Sequence, residues 1–264
     1  MATLVTAQWV GQHIDDPAIL LLDPRRPMRY LQGHLKQAVN LPVYKAFDPD
    51  GKLQPDAQLQ RWIGAAGIDD QVTPVIYDSF DGQNGAMLTW LLEYFGRTNV
   101  HVLNVFYERW VAEGREVFYK PVSPVSKGFT VRINSRVRVT LDDVRRESDL
   151  KLIDFRSREE YTGEQDRDGK PGHIPGAVNV VWRDLNGPQQ EVLASHENIQ
   201  QLVGASGIQR DDRIVAYCRL GMRAALGYLA LQQAGYEVRL YDRSYAEWAR
   251  SGLPSVRGND RRGS

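Results

Sequence analysis

The sequence predicts an α/β protein made of two tandem copies of one domain, each built on a mainly parallel sheet flanked by helices. Three observations lead to this prediction. The chain of 264 residues is long enough for two domains of ordinary size. Its two halves repeat one pattern of residues. Within each half, short apolar runs alternate with longer stretches of helical spacing, which is typical of a parallel sheet with crossover helices.

The repeat consists of matched residues at a nearly constant separation along the chain. The separation is 131 residues at an Asp pair and an Arg pair, 139 at a His pair and an Asn pair, 140 between Asp78 and Cys218, and 138 at a Trp pair. These matched pairs are Asp23 and Asp154, Arg25 and Arg156, His34 and His173, Asn40 and Asn179, and Trp110 and Trp248. Such regularity indicates a duplication. It also leaves the segment between Asp and His eight residues longer in the second copy.

The second copy shows the alternation of elements in order. The runs "LKLID", "AVNVV", "RIVAYC" and "EVRLYD" are short and mostly rich in Val and Ile, which predicts buried strands. The stretches "HENIQQLVGASG" and "GMRAALGYLALQQAG" have helical spacing, and each ends at a Gly that is suited to a helix C-terminus.

The sequence also predicts the domain boundaries. We expect the first domain at residues 1–120 and the second at residues 136–254. Between them, residues 121–135 contain two prolines and are interpreted as an ordered or semi-rigid linker. The small and charged residues 255–264 are expected to be a disordered tail.

The composition narrows the classes of function. With 33 basic and 33 acidic residues the formal net charge is zero, which gives no indication of nucleic-acid binding or of a basic membrane anchor. No apolar run approaches the roughly 20 residues of a membrane span. The N-terminal residues do not resemble a signal peptide. The single cysteine cannot form an internal disulfide, so we expect a cytoplasmic protein. We also expect a monomer, because each sheet can be covered within one chain.

The single cysteine, Cys218, is the strongest candidate for a catalytic residue. It follows the predicted strand "RIVAY" directly, and it precedes a short loop, Arg219, Leu220, Gly221, Met222 and Arg223, and then a helix. Backbone N–H groups in such a loop, the N-terminus of the helix and the two arginines all favour a negative charge. They should therefore stabilise the thiolate. A buried core cysteine is the alternative, but the flanking Arg and Gly residues favour a nucleophile.

The motifs resemble those of the two-domain rhodanese family of sulfurtransferases. The resemblance rests on the Asp-x-Arg, "GHIPGAVN" and Cys-Arg-x-Gly-x-Arg motifs, repeated in tandem, and it covers about residues 4 to 253. It implies two rhodanese-like domains of which only the second is catalytic. Asp78 stands in the first copy where Cys218 stands in the second, which agrees with an inactive first domain.

The resemblance also implies a mechanism. Cys218 would take sulfur from a sulfane donor such as thiosulfate, hold it as a persulfide and pass it to cyanide, to a dithiol or other thiol, or to a thioredoxin-like protein, without a metal or cofactor. Arg219 and Arg223 are expected to bind the donor's oxygens. Arg167 is a further candidate, because basic residues of this longer segment reach the site in related enzymes. An exposed loop charge is the alternative for Arg167.

Three other functions compete with this one. The dual-specificity phosphatases share the fold but have Cys-x5-Arg, whereas Cys218 to Arg223 is Cys-x4-Arg, a loop sized for sulfur. The 3-mercaptopyruvate enzymes typically have a neutral Cys-Gly-(Ser/Thr)-Gly loop, so the arginines favour thiosulfate. A persulfide carrier or a redox-sensing thiol protein is the alternative of another class.

Other polar residues of the second copy are interpreted as structural. Asp154, Arg156 and His173 each have a twin in the first copy, which has no nucleophile and no need of catalytic partners. We expect Asp154, Arg156 and Glu159 to form a buried pairing that fixes the loops.

Overall fold

Two parallel sheets, one in each half of the chain, organise the structure, a computed structural model that describes residues 1–259. Every strand pair in both sheets is parallel. Helices lie between successive strands, as parallel connections require. The predicted fold class is therefore confirmed.

The first sheet has five strands in the order β1-β5-β4-β2-β3. The elements of this half are β1 (Thr3–Val5), α1 (Ala7–His13), β2 (Ile19–Asp23), α2 (Pro27–Leu31), β3 (Val39–Asn40), a 3-10 helix (Val43–Ala46), α3 (Asp56–Ala65), β4 (Thr73–Ile76), α4 (Gln83–Tyr94), β5 (His101–Leu103) and α5 (Tyr107–Ala112).

The second sheet has four strands in the order β7-β6-β8-β9. Its half contains a 3-10 helix (Ser135–Val137), α6 (Leu141–Arg146), β6 (Leu150–Asp154), α7 (Arg158–Thr162), β7 (Val178–Asn179), a 3-10 helix (Trp182–Leu185), α8 (His196–Ala205), β8 (Arg213–Tyr217), α9 (Met222–Gln233), β9 (Val238–Leu240) and α10 (Ser244–Arg250). A single bridge between Arg138 and Leu240 stands where the first sheet has β1. The duplicated sheets therefore differ at one edge.

The helix and strand signals of the second copy correspond closely to these elements. "LKLID" and "RIVAY" are β6 and β8, and "AVNVV" forms only the two-residue strand β7. α8 and α9 are each followed, one residue after their C-caps, by a left-handed glycine, Gly207 (φ 84°) and Gly235 (φ 85°). Each glycine adopts the conformation that commonly ends a helix.

The structural units differ from the predicted domains in two places. The first unit is Met1–Asn134 together with Pro188–Val192, and the second is Ser135–Gly187 with the chain from Leu193 onward. Residues 121–134 therefore belong to the first unit, and Phe129 within them is buried at 2% exposure. Residues 188–192 join the first unit through backbone bonds such as Phe106 N–H to Gln190 O at 2.9 Å.

The predicted disordered tail is wrong for its described part. Val256 is buried, and its backbone exchanges two hydrogen bonds with His173. The Gly258 N–H donates to Thr162 O at 2.9 Å. These backbone bonds hold a segment whose composition gave no sign of order. Residues 260–264 of the predicted tail lie outside the described residues.

Each unit has its own apolar core. Trp110 packs in the core of the first unit and Trp248 in that of the second, as their matched positions predicted. Within residues 1–259, no helix has the length and apolar character needed to cross a membrane.

Candidate active site

Cys218 lies directly after β8, at the carboxyl end of a central strand of the second sheet. Its backbone is held at both polar groups, because its N–H donates to Ser244 Oγ at 3.2 Å and its carbonyl accepts from Tyr245 N–H at 2.9 Å. Ser244 adopts a φ of 55°, which is uncommon for a residue other than glycine. Nothing in the sequence marked Ser244 as part of the site. The residue Cys218 is 1% exposed, so the loop holds it in a defined position away from bulk water.

The loop after Cys218 presents backbone N–H groups that the protein itself does not satisfy. Gly221 adopts a φ of 86° and is the N-cap residue of α9, where it provides no side-chain hydrogen bond. Within residues 1–259, none of the backbone N–H groups of residues 219 to 223 donates to a protein acceptor. Consecutive free N–H groups at the start of a 12-residue helix favour an anion. The arrangement suits a thiolate or a persulfide at Cys218.

In the matching loop of the first unit, the side chain of Asp78 accepts hydrogen bonds from backbone N–H groups. The Asp78 carboxylate accepts from Ser79 N–H and from Gly85 N–H, each at 2.8 Å. This loop is also one residue longer, because the N-cap glycine of α4, Gly82, is the fourth residue after Asp78, whereas that of α9, Gly221, is the third after Cys218. Burial raises the pKa of Asp78 to about 7, although the two N–H bonds act in the opposite direction. The Asp78 side chain therefore occupies in the first unit the position that Cys218 has in the second.

Arg223 is positioned by a buried carboxylate that the sequence analysis did not identify. Its Nη1 and Nη2 contact the two oxygens of Glu160 at 2.5 and 3.0 Å. Burial acts to lower the pKa of Arg223, but the bond to Glu160 and the charge of Cys218 raise it above the ordinary value. The same bond lowers the pKa of Glu160 even though burial opposes this. Both groups therefore stay charged beside Cys218.

Arg219 is also paired with a carboxylate. Its Nε lies 3.1 Å from both oxygens of Asp168, and its Nη2 lies 2.9 Å from Oδ1. Its Nη2 also donates to Arg167 O at 3.4 Å. The Arg167 side chain is 53% exposed, and its Nε lies 3.9 Å from Glu160. The structure thus brings all three predicted arginines together and adds two acidic residues.

The expected role of Glu159 is wrong, because its neighbour Glu160 is the buried glutamate. Glu160 is 4% exposed and pairs with Arg223, whereas Glu159 is exposed. The available signal was the capping-box spacing Ser157-x-x-Glu160, which places Glu160 at the third position of α7 and bonds it back to Ser157 N–H. No sequence signal singled out Asp168.

The Asp154–Arg156 pair is structural, as its twin predicted. Arg156 Nη2 lies 2.6 Å from Asp154, and both side chains are buried. Arg25 and Asp23 repeat this distance in the first unit, which has no thiol. His173 is fully buried and stacks on a tyrosine. For the part of the chain that the structure describes, no cluster of three or more His, Cys, Asp or Glu residues is suited to hold a metal ion.

Comparison with known proteins supports a family assignment. The sequence model of the rhodanese-like domain matches residues 6–113 and 140–251. The sulfur carrier protein TtuD of Thermus thermophilus is 29% identical over 97% of both chains, and a thiosulfate sulfurtransferase of Azotobacter vinelandii is 29% identical over 88% of both. The solved structure of SseA from Escherichia coli, a 3-mercaptopyruvate sulfotransferase, superposes with a TM-score of 0.82 at 25% identity. It covers 92% of this chain and 99% of SseA.

Proposed function

Because this chain belongs to the rhodanese family and contains its domain twice, we propose that it is a sulfurtransferase that carries sulfur on Cys218. One observation carries the proposal. The only thiol of the chain ends a central strand where free loop N–H groups and the charged Arg223 can stabilise an anion. The relatives named as a sulfur carrier and as a thiosulfate sulfurtransferase support the same chemistry.

The reaction has two steps, and we propose thiosulfate as the donor. In the first step the Cys218 thiolate attacks the outer sulfur of thiosulfate. The sulfur–sulfur bond of the donor breaks, and sulfite leaves with the bonding electron pair. In the second step a nucleophile such as cyanide or a thiolate attacks the outer sulfur of the persulfide, and the Cys218 thiolate leaves. A covalent intermediate of this kind gives ping-pong kinetics.

The protein contributes electrostatic stabilisation and orientation to both steps. The two reactive forms of Cys218, the thiolate and the persulfide anion, each carry a negative charge. The N–H groups of residues 219 to 223 and the guanidinium of Arg223 offset that charge without having to move. Ser244 fixes the backbone of Cys218, so that attack needs little reorganisation.

3-Mercaptopyruvate is the alternative donor, and the similarity to SseA keeps it in consideration. The sequence argument for thiosulfate used the positive charge of the loop. In the structure, however, carboxylates offset both loop arginines. Thiosulfate remains our proposal because the free N–H groups add anion-binding capacity that a carboxylate does not fill in this copy.

Steady-state kinetics test the proposal. We expect kcat/KM to be higher for thiosulfate than for 3-mercaptopyruvate when cyanide is the acceptor, and we expect Cys218→Ser to have no turnover with either donor. A higher kcat/KM for 3-mercaptopyruvate would change the donor but leave the nucleophile. Activity retained by Cys218→Ser would refute the role of Cys218.

A persulfide carrier is the second candidate, because TtuD, which is similar to this chain over 97% of its length, is named a sulfur carrier. A carrier would load one sulfur on Cys218 but release it slowly to small acceptors. Single-turnover loading followed by cyanide addition separates the two functions. Fast loading with slow release indicates a carrier, whereas fast release indicates an enzyme.

A further inference from the structure

The segment between α7 and β7 contains a hydrogen-bonded turn that places Asp168 beside Arg219. This segment is the one that is eight residues longer in the second copy than in the first. Asp166 Oδ1 accepts from the N–H groups of Asp168 and Lys170, at 2.9 and 3.1 Å, which closes the turn. The Lys170 carbonyl accepts from Tyr245 Oη at 2.9 Å, which anchors the turn to α10. Asp168 is therefore held in place independently of Arg219.

The two arginine–carboxylate pairs differ in how readily an anion can reach them. In the Arg223–Glu160 pair the side chains are 19% and 4% exposed, whereas in the Arg219–Asp168 pair they are 32% and 11% exposed. Water and small anions therefore have more access to the second pair. Of the two arginines, Arg219 is the one at which an incoming donor can replace the carboxylate partner.

The acidic partners also change the charge that a donor meets. Arg167, Arg219 and Arg223 supply three positive charges, and Glu160 and Asp168 remove two of them. Ionised Cys218 offsets the remaining one. While Asp168 is paired with Arg219, these groups sum to no net charge, so a doubly charged donor is attracted less than it would be without Asp168.

We propose that Asp168 is an internal competitor for Arg219, which lowers the affinity of the site for doubly charged sulfur donors. This inference rests on the proposed function. A dianion such as thiosulfate must compete with Asp168 for the Nε and Nη2 donors of this guanidinium. A monoanionic thiosulfonate needs this contact less. Asp168 is a positioning residue in this scheme, because it acts on the donor through Arg219.

Removal of the competing charge tests the proposal. We expect Asp168→Asn to lower the KM for thiosulfate by about 3- to 10-fold, with little change in kcat and less than about twofold change in the KM for methanethiosulfonate. Glu164→Gln is the matched control. It removes one negative charge from the same segment, where Glu164 contacts Thr162 and where, within residues 1–259, no arginine is paired with it. An unchanged or higher thiosulfate KM in Asp168→Asn would overturn the proposal.

A second measurement does not depend on sulfur transfer. Cys218 is the only thiol, so the ratio of its alkylation rates with iodoacetate and iodoacetamide reports the charge that an anion meets. We expect Asp168→Asn to raise this ratio and Glu164→Gln to leave it unchanged. Asp168→Asn should raise the alkylation ratio more when Arg219 is present than in an Arg219→Gln background. Equal gains in both backgrounds would show a remote charge effect and would overturn the proposal.

The two measurements separate the two hypotheses. If no donor is turned over but the alkylation ratio behaves as expected, the proposed function fails and the role of Asp168 remains. If thiosulfate is turned over and the ratio does not change, the role of Asp168 fails alone. Thermal unfolding of each variant checks its folding, and Asp168→Ser replaces Asp168→Asn if the latter does not fold.

Discussion

Arg219 and Arg223 illustrate how much the surroundings of a single residue decide its role. Both were predicted from the sequence to bind the donor, and both have a carboxylate partner in the structure. Removal of Glu160 would leave Arg223 charged and largely buried, which typically costs about 3–5 kcal/mol. Exposed pairs contribute only about 0–1 kcal/mol. Loss of Glu160 is therefore expected to destabilise the loop, and the more exposed Asp168–Arg219 pair is the more easily exchanged.

Asp78 gives a pH-dependent prediction at the same scale. Burial raises its pKa from 3.8 to about 7, so the native state holds a proton that the unfolded chain releases between these values. The stability from this group is full below about pH 3.8 and is lost as the pH rises through 7. In the wild type, ionisation of Asp78 should lower the free energy of unfolding by about 2 kcal/mol between about pH 5.5 and about pH 8.5. We expect this decrease to be absent in Asp78→Asn.

Urea unfolding at the two pH values measures this effect. Asp142→Asn, at a carboxylate that is 62% exposed, is the control and should keep the pH dependence of the wild type. The same pH dependence in Asp78→Asn and in the wild type would contradict the assignment to Asp78.

At the scale of single elements, α9 links the core to the active-site loop. It begins at Met222, directly after the loop glycine, and its central residues are fully buried. The sequence pattern predicted this helix and the strand before it, because both are long or strongly apolar. It did not predict that "AVNVV" would form so short a strand, since its pairing is limited to two residues of β6.

Gly227, inside α9, is required by close packing rather than by backbone conformation. A Cβ at this position would lie 2.4 to 2.6 Å from three ring carbons of Phe155, which is itself buried. We expect Gly227→Ala to destabilise the protein by about 1–3 kcal/mol, because the ring has to move within a filled core.

Gly204, inside α8, provides the matched control. A Cβ there would meet no heavy atom within 4 Å. Gly204→Ala should therefore stabilise the protein by about 0.5–1 kcal/mol, the ordinary gain in helix propensity. Urea unfolding of both variants measures the difference, and a stabilised Gly227→Ala would show that the packing argument is wrong.

At the scale of the whole molecule, the duplication was the most predictable feature. Matched residues at near-constant separation predicted two similar α/β units, and they place an Asp in the first copy at the position of Cys218. The acidic partners of the arginines were not predicted, because Asp168 has no local pattern and meets Arg219 from 51 positions away. The ordered segment 255–259 was missed for the same reason, since its partners lie at distant positions such as His173.

The connection between the copies belongs to the first unit, and this gives a prediction for the intact chain. Lys127 N–H donates to Gly64 O at 2.9 Å, Arg132 N–H donates to Phe95 O at 3.1 Å, and Phe129 between them is 2% exposed. Loss of a buried Phe side chain costs about 3–5 kcal/mol. We therefore expect Phe129→Ala to release this segment locally.

Limited trypsin digestion measures that release. The native connection should resist cleavage after Lys127 and Arg132, because a protease needs a locally unfolded chain. Phe129→Ala should be cut there on the order of tenfold faster, giving two fragments of roughly equal size. Val125→Ala, at a side chain 79% exposed in the same segment, should behave as the wild type. Equal cleavage of Phe129→Ala and the wild type would mean that the backbone bonds to Gly64 and Phe95 hold the connection without the aromatic ring.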